Sequence, residues 1–273
     1  MEPYLPNYLK GKNRRLVFDL LRERGQMSRA EITRDTGMSF PTAMKVVDAF
    51  LEKGLLVELD ETGPAAGAGR KGRLLRFEPG AYRAVGVECE GRFARVGLAD
   101  MAGGVQARET IELGDFARTR DLSPLAAAIR RMCAAANGAP VLGVCIGFPA
   151  NLDPDAAAIV SYAAMDIQQP TSFAQVFPAF WREVELPVYL ENDANLACEG
   201  EAFLRRGAGG AANMLYLSIG SGCGGAVRLD GKLRRGARCR AGEVGAMLLQ
   251  PALGAPGRSA ARETLEDAVC LAA

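Results

Sequence analysis

Leu190-Glu191-Asn192-Asp193-Ala194-Asn195 is the stretch whose reading decides the fold. Val188-Tyr189-Leu190-Glu191 reads as a strand, and Leu196 to Leu204 continues as a helix. Polar side chains between the end of a strand and the start of a helix are well placed to meet a ligand. Asn192 and Asp193 also suit simple capping of that helix, so on these residues alone both roles stand.

Met214 to Ile219 reads as a further strand. It runs into Gly220-Ser221-Gly222-Cys223-Gly224-Gly225, and Ala226-Val227-Arg228-Leu229 follows as its partner. A glycine loop between two strands can offer backbone N–H groups to a phosphate, and it also serves as a plain turn. On the N-terminal side, Val85 to Glu90 and Phe93 to Asp100 alternate like paired strands around a Gly91-Arg92 turn. Val105 to Glu112 follows as a strand, Leu122 to Ala136 as a helix and Val141 to Phe148 as a buried strand. Hairpin, helix and buried strand together make an α/β body.

Residues 1–80 carry a different pattern. Asn13 to Arg24 is an amphipathic helix with Leu16, Val17, Leu20 and Leu21 on one face, closed by Gly25. Ser28 and Glu31 have the spacing of a capping box at the head of a second helix, which carries Ile32 inward and stops at Thr36-Gly37. Ser39 is placed to cap a third helix with Pro41 in its first turn, and Val46, Val47, Phe50 and Leu51 give this helix its apolar face. Leu55 to Leu59 and Leu74 to Phe77 then form a hairpin around the basic tip Arg70-Lys71-Gly72-Arg73. Three helices and a basic hairpin make a winged helix-turn-helix. Its recognition residues are Ser39, Phe40, Thr42 and Lys45, with Arg70, Lys71 and Arg73 on the wing. A small helical interaction domain with a solvated basic loop is the alternative.

Composition narrows the field. The 273 residues carry a net charge of +1, so no global field draws the whole molecule to nucleic acid or membrane. Residues 1–80 hold 14 Lys+Arg against 11 Asp+Glu, a mild basic bias at the front. No apolar run approaches the ~20 residues of a membrane span. Seven scattered cysteines, none in a C-x-x-C pair, point to a reduced, cytoplasmic chain. The sequence has no histidine, so a zinc site would need cysteine and carboxylate ligands alone.

Over about residues 84–250 the chain resembles the ROK family (repressor, open reading frame, kinase). The matching features are Gly143-Val144-Cys145-Ile146-Gly147-Phe148-Pro149, the Glu191-to-Asn195 segment and the glycine run. Asp230-Gly231-Lys232-Leu233-Arg234-Arg235-Gly236 and Ala241-Gly242-Glu243-Val244-Gly245 complete them. The front resembles the winged helix of the family's repressor branch, including Ser39-Phe40-Pro41-Thr42 and Gly69-Arg70-Lys71. The resemblance implies an actin-like, ribonuclease-H-like body of two lobes, with a sugar or sugar phosphate in the cleft and a homodimer or higher homo-oligomer bound to a double-stranded DNA operator. It divides the chain into a DNA-binding domain at 1–80, a first lobe at 81–187 and a second lobe at 188–273.

The resemblance also sets expectations for activity. In the family's kinases the residue matching Asp193 is the base that deprotonates the sugar; Asn192, Glu243 and Glu263 are the other expected sugar contacts. A sugar kinase using Asp193 is therefore the alternative to a repressor. Against catalysis, Glu88-Cys89-Glu90-Gly91-Arg92 stands where the kinases have an Asp-Gly-Gly-Thr-like phosphate turn. Two carboxylates there would repel a polyphosphate, with Arg92 expected to offset part of the charge. Ala246 replaces the zinc-binding histidine, residues 254–264 lack the knuckle cysteines, and Ala164 stands near the position of a sugar-contacting asparagine. The expectation is a non-enzymatic regulator without metal or cofactor. Its second lobe is expected to be incomplete, as in a fragment or a shortened member, with an apolar face left uncovered.

Overall fold

The computed structural model describes residues 11–62, 73–205, 211–220, 222–249 and 263–270. Arg70 and Lys71 lie outside these residues. The front opens with α1 (Lys12–Arg24), β1 (Gln26–Ser28), α2 (Arg29–Thr36) and α3 (Phe40–Glu52), followed by β2 (Leu56–Thr62) and β3 (Arg73–Phe77). Gly25 ends α1 at φ 73°, its N–H donating to Leu21 O. At the head of α2, Ser28 Oγ accepts from the Glu31 N–H while Glu31 Oε2 accepts from the Ser28 N–H, a closed capping box. Ser39 begins α3 without a side-chain cap; its hydroxyl pairs instead with Thr42 Oγ1 at 2.8 Å.

The short β1 has no periodic signal in the sequence. It pairs with β3, which pairs with β2, giving a three-stranded sheet of order β1-β3-β2 beside three helices. Val17, Leu21, Met27, Ile32, Val47, Phe50, Leu55 and Leu75 fill the core between them. Phe18 meets the rings of Phe50 and Phe77 edge-on, at 6.4 and 5.5 Å between centroids.

The body continues with β4 (Arg83–Glu90), β5 (Phe93–Asp100), β6 (Val105–Glu112), α4 (Phe116–Thr119), α5 (Ser123–Ala135) and β7 (Val141–Phe148). Next come β8 (Asn151–Asp153), β9 (Ala158–Ser161), β10 (Thr171–Ser172), α6 (Phe173–Val176), α7 (Pro178–Glu183), β11 (Val188–Asn192) and α8 (Asp193–Leu204). The chain then forms β12 (Met214–Ile219), β13 (Cys223–Leu229), β14 (Lys232–Leu233), β15 (Leu248–Leu249), β16 (Glu263–Thr264) and α9 (Leu265–Val269). One sheet has the order β11-β7-β4-β5-β6, and another has the order β12-β13-β14. At the end of β7, Phe148 packs against Phe116, Tyr162, Phe173 and Phe177, an aromatic floor under the segment that follows. Leu215, Leu217 and Ile219 alternate along β12 and are exposed.

The chain divides into two compact units. One holds residues up to 85 with 97–108 and 130–144; the other holds 86–96, 109–129 and everything from 145. No helix among the described residues is long and apolar enough to cross a membrane.

Candidate functional site: an acidic cleft at a strand–helix junction

The cleft is built where β11 becomes α8. The helix begins at Asp193, earlier than the sequence pattern suggests, because Asn192 takes the N-cap position. Its Oδ1 accepts from the Asn195 N–H at 3.1 Å, and its Nδ2 donates to Ala150 O at 3.3 Å. Asn192 is thus a helix cap and also a strut to the strand end beyond Pro149. Asp193 sits in the first turn, its Oδ1 accepting from the Ala194 N–H at 2.9 Å. A side chain at Gly147 would come within 3.4 Å of the Asp193 Cα and 3.1 Å of Leu196, so glycine lets β7 pass close beneath this junction.

Glu191 fixes the junction from below. Its buried carboxylate accepts from the Asn192 N–H and from Asn195 Nδ2, each at 3.0 Å. Arg235 Nε donates to its other oxygen at 2.9 Å, and Arg235 Nη2 donates to the same oxygen. A buried carboxylate needs such partners, since an isolated one is strongly disfavoured. The pair also ties the loop after β14 to the junction across 44 residues of sequence.

A cleft of about 920 Å³ opens beside the junction. Asn192, Asp193 and Glu243 all line it, as do Glu88, Glu90, Asp166, Arg240 and Glu266. Burial holds the Asp193 carboxyl above its ordinary value, with the charge of Glu88 adding to the effect. Glu243 is likewise raised by burial and then by Asp193, against the opposing pull of Arg240. A carboxyl raised in the folded state keeps a proton that the unfolded chain has already released, so it adds stability as pH falls through its folded value. Replacing Asp193 with asparagine should therefore raise the melting temperature at neutral pH, and the gap to wild type should close on acidification. A variant less stable than wild type at neutral pH would contradict this, and thermal melts across pH provide the check.

The two carboxylates of the turn between β4 and β5 are partly offset by an arginine, but not by Arg92. Arg92 reaches Glu112 at 3.6 Å. Arg95, on the facing strand, donates to Glu88 at 2.8 Å and to Glu90 at 2.6 Å. Residues two apart on one strand share a face, so a single guanidinium opposite them can hold both.

The glycine run is shorter as a loop than its sequence suggests, since β13 already begins at Cys223. Gly225 and Gly242 pass backbone to backbone: a Cβ on Gly225 would lie 2.8 Å from Gly242 O, and one on Gly242 2.3 Å from Gly225 O. A Cβ on Gly245 would lie 2.1 Å from Cys223 O. These glycines are demanded by the packing of the 242–245 segment on β13. At the remaining turn, the Cys223 N–H donates to Glu266 Oε2 at 2.9 Å. Sequence reasoning misses Glu266. Its local signal is the capping box of α9, in which Thr264 and Asp267 satisfy each other's backbone N–H. Glu263 pairs through its backbone with Leu249, and its side chain lies outside the described residues. Among the described residues, no group of three or more His, Cys, Asp or Glu is placed to hold a metal ion.

On the front, Ser39, Phe40 and Lys45 are exposed and Thr42 is half-buried, all in the first half of α3 or at its cap. Phe40, at the start of the helix, is 56% exposed and lies outside the core of the front. Arg73, at the start of β3, lies 3.6 Å from Glu58, which also pairs with Arg29 at 2.6 Å.

Front and body together define a class: an α/β protein with actin-like sheets and a polar cleft, preceded by three helices and a small three-stranded sheet. The chain belongs to the ROK family, whose profile matches residues 84–269. It is 27% identical to the xylose repressor of Caldicellulosiruptor bescii over 241 residues, 87% of this chain and 58% of that protein. Against the glucokinase of Halalkalibacterium halodurans it is 34% identical over 139 residues, 48% of this chain and 39% of the kinase. A crystal structure of a ROK family transcriptional regulator, a homolog of the E. coli MLC protein, matches 96% of this chain and 65% of its own. The TM-score is 0.75 at 18% identity, a likeness of fold. The chain thus spans less than two thirds of the length of each of these proteins.

Proposed function

We propose that this chain is the DNA-binding and ligand-sensing part of a cytoplasmic transcriptional repressor. Residues 1–80 bind a double-stranded operator, while lobes 81–187 and 188–273 hold a sugar or sugar derivative. What carries this reading is the presence of three helices and a β1-β3-β2 sheet in one chain with a ROK body. The fold likeness to a ROK regulator spans nearly the whole chain, front included, and supports it. So does the similarity to a protein named as a xylose repressor over 87% of the chain.

Ser39, Phe40 and Thr42 meet base edges or phosphates from the start of α3, Lys45 adds a phosphate contact, and Arg70, Lys71 and Arg73 serve the wing. Asn192, Asp193 and Glu243 in the cleft are the effector contacts, with Glu263 as a fourth proposed contact. Operators read by two-fold symmetric helices require a homodimer or higher homo-oligomer. The cleft is a sensor and not a catalyst. Phosphoryl transfer relies on positive groups around the transferred phosphate, and the turn at Glu88 and Glu90 presents carboxylates there. A coupled assay for ADP release on hexoses and pentoses should show no turnover; turnover abolished by Asp193→Asn would make the chain a kinase. An electrophoretic shift of the DNA upstream of its own gene, released by one sugar of a panel, tests the repressor reading directly.

A further inference from the structure

We propose that the cleft selects against phosphorylated ligands, so that the effector is an unphosphorylated sugar or polyol, neutral or cationic. This rests on the sensing role given to the cleft above. Two features carry it, and Glu266 belongs to both.

The first is the chemistry of the lining. Glu88, Glu90, Asp166, Asp193, Glu243 and Glu266 face the space, and Arg240 is the one cation among the described lining residues. Arg95, outside the lining, offsets one of the two charges of Glu88 and Glu90, so six carboxylates face two guanidiniums. An ionised carboxylate only accepts hydrogen bonds. Sugar hydroxyls and ammonium groups donate, so they match this lining. A phosphate dianion brings further acceptors and like charge; among the described lining residues Arg240 is the one cation to attract it, beside neutral donors such as Ser161 and Gln168.

The second is that one backbone N–H at the end of the glycine turn is already taken. Backbone N–H groups in such a turn are the usual attraction for a phosphate. Here the Cys223 N–H is bonded to Glu266 Oε2 at 2.9 Å. Gly222 and Gly245 leave the space that this oxygen fills: a Cβ on either would stand 3.4 or 3.0 Å from it. Glu266 is in effect an internal anion. A phosphate approaching the turn must displace it, and in place it repels that phosphate.

The test uses the whole chain and inorganic pyrophosphate as the anion probe, with binding read by calorimetry and by thermal melts against sodium chloride of matched ionic strength. Wild type should show no binding at millimolar pyrophosphate. Glu266→Gln, which keeps an acceptor but removes the charge, and Glu266→Ala, which frees the N–H, should each gain about tenfold or more in affinity. Wild-type binding of pyrophosphate overturns the proposal, as does the absence of a gain in both variants. It is equally overturned if glucose 6-phosphate stabilises the wild type more than glucose does. DNA affinity measured on the same preparations keeps the two ideas separate. Loss of DNA binding with anion rejection intact refutes the repressor reading, whereas anion binding with DNA affinity intact refutes only the selectivity.

Discussion

Phe50→Ala is expected to destabilise the front by about 3–5 kcal/mol, the cost of removing a buried aromatic and leaving a cavity. Phe50 is 1% exposed and lies in the core shared by α1, α3 and the β1-β3-β2 sheet. Domains of this size hold roughly 5–15 kcal/mol in all, so the front should lose most of its cooperative structure. Hydrogen exchange resolved by peptide is the suitable readout, because the single tryptophan, Trp181, lies in the body. Protection should collapse across residues 12–52 and persist in β11 and α8. A loss of less than about 1 kcal/mol would mean that the three helices do not depend on this core.

The second large effect concerns charge on the side proposed to face DNA. Changing Lys45, Arg70, Lys71 and Arg73 together to alanine should weaken DNA binding about 10- to 1,000-fold. The slope of log affinity against log salt should fall by about 0.9 for each DNA phosphate that is no longer neutralised. Arg73 is expected to contribute less than the others, since it already lies 3.6 Å from Glu58. Stability should change little, because Lys45 is an exposed side chain. Fluorescence anisotropy at several salt concentrations measures both numbers, and an unchanged slope would remove these residues from the interface.

Much of the architecture could be read from local pattern. The Ser28–Glu31 capping box, the stop at Gly25 and the buried face of α3 follow from side chains three or four apart, which local rules describe well. The β4–β5 hairpin and the buried β7 follow from alternation and apolar runs. Elements without a local signature were illegible. The three residues of β1 are too few to show a period, and they become a strand only because β3 offers an edge.

The site was legible as a position more than as a mechanism. Asn192, Asp193 and Glu243 share one cleft, but what holds them comes from far along the chain. Arg235 lies 44 residues from Glu191, and Glu266 lies 43 from Cys223. Nothing in the spacing marks such partners, because they are chosen by tertiary packing. The glycine run shows the same limit from the other side. Its glycines have the pattern of a phosphate cradle, yet Gly225 is required by the approach of Gly242. Arg95 takes the role expected of Arg92 because it faces the two carboxylates across the hairpin, whereas Arg92 reaches Glu112.

The central claim is that a sugar-sensing ROK body here serves a sequence-specific DNA-binding front. The most direct measurement is the affinity of the purified chain for the DNA upstream of its own gene, compared with a scrambled duplex of equal length at physiological salt. A preference of about 1,000-fold or more for the upstream fragment is expected. Equal affinity for the two duplexes, or none for either, would contradict it.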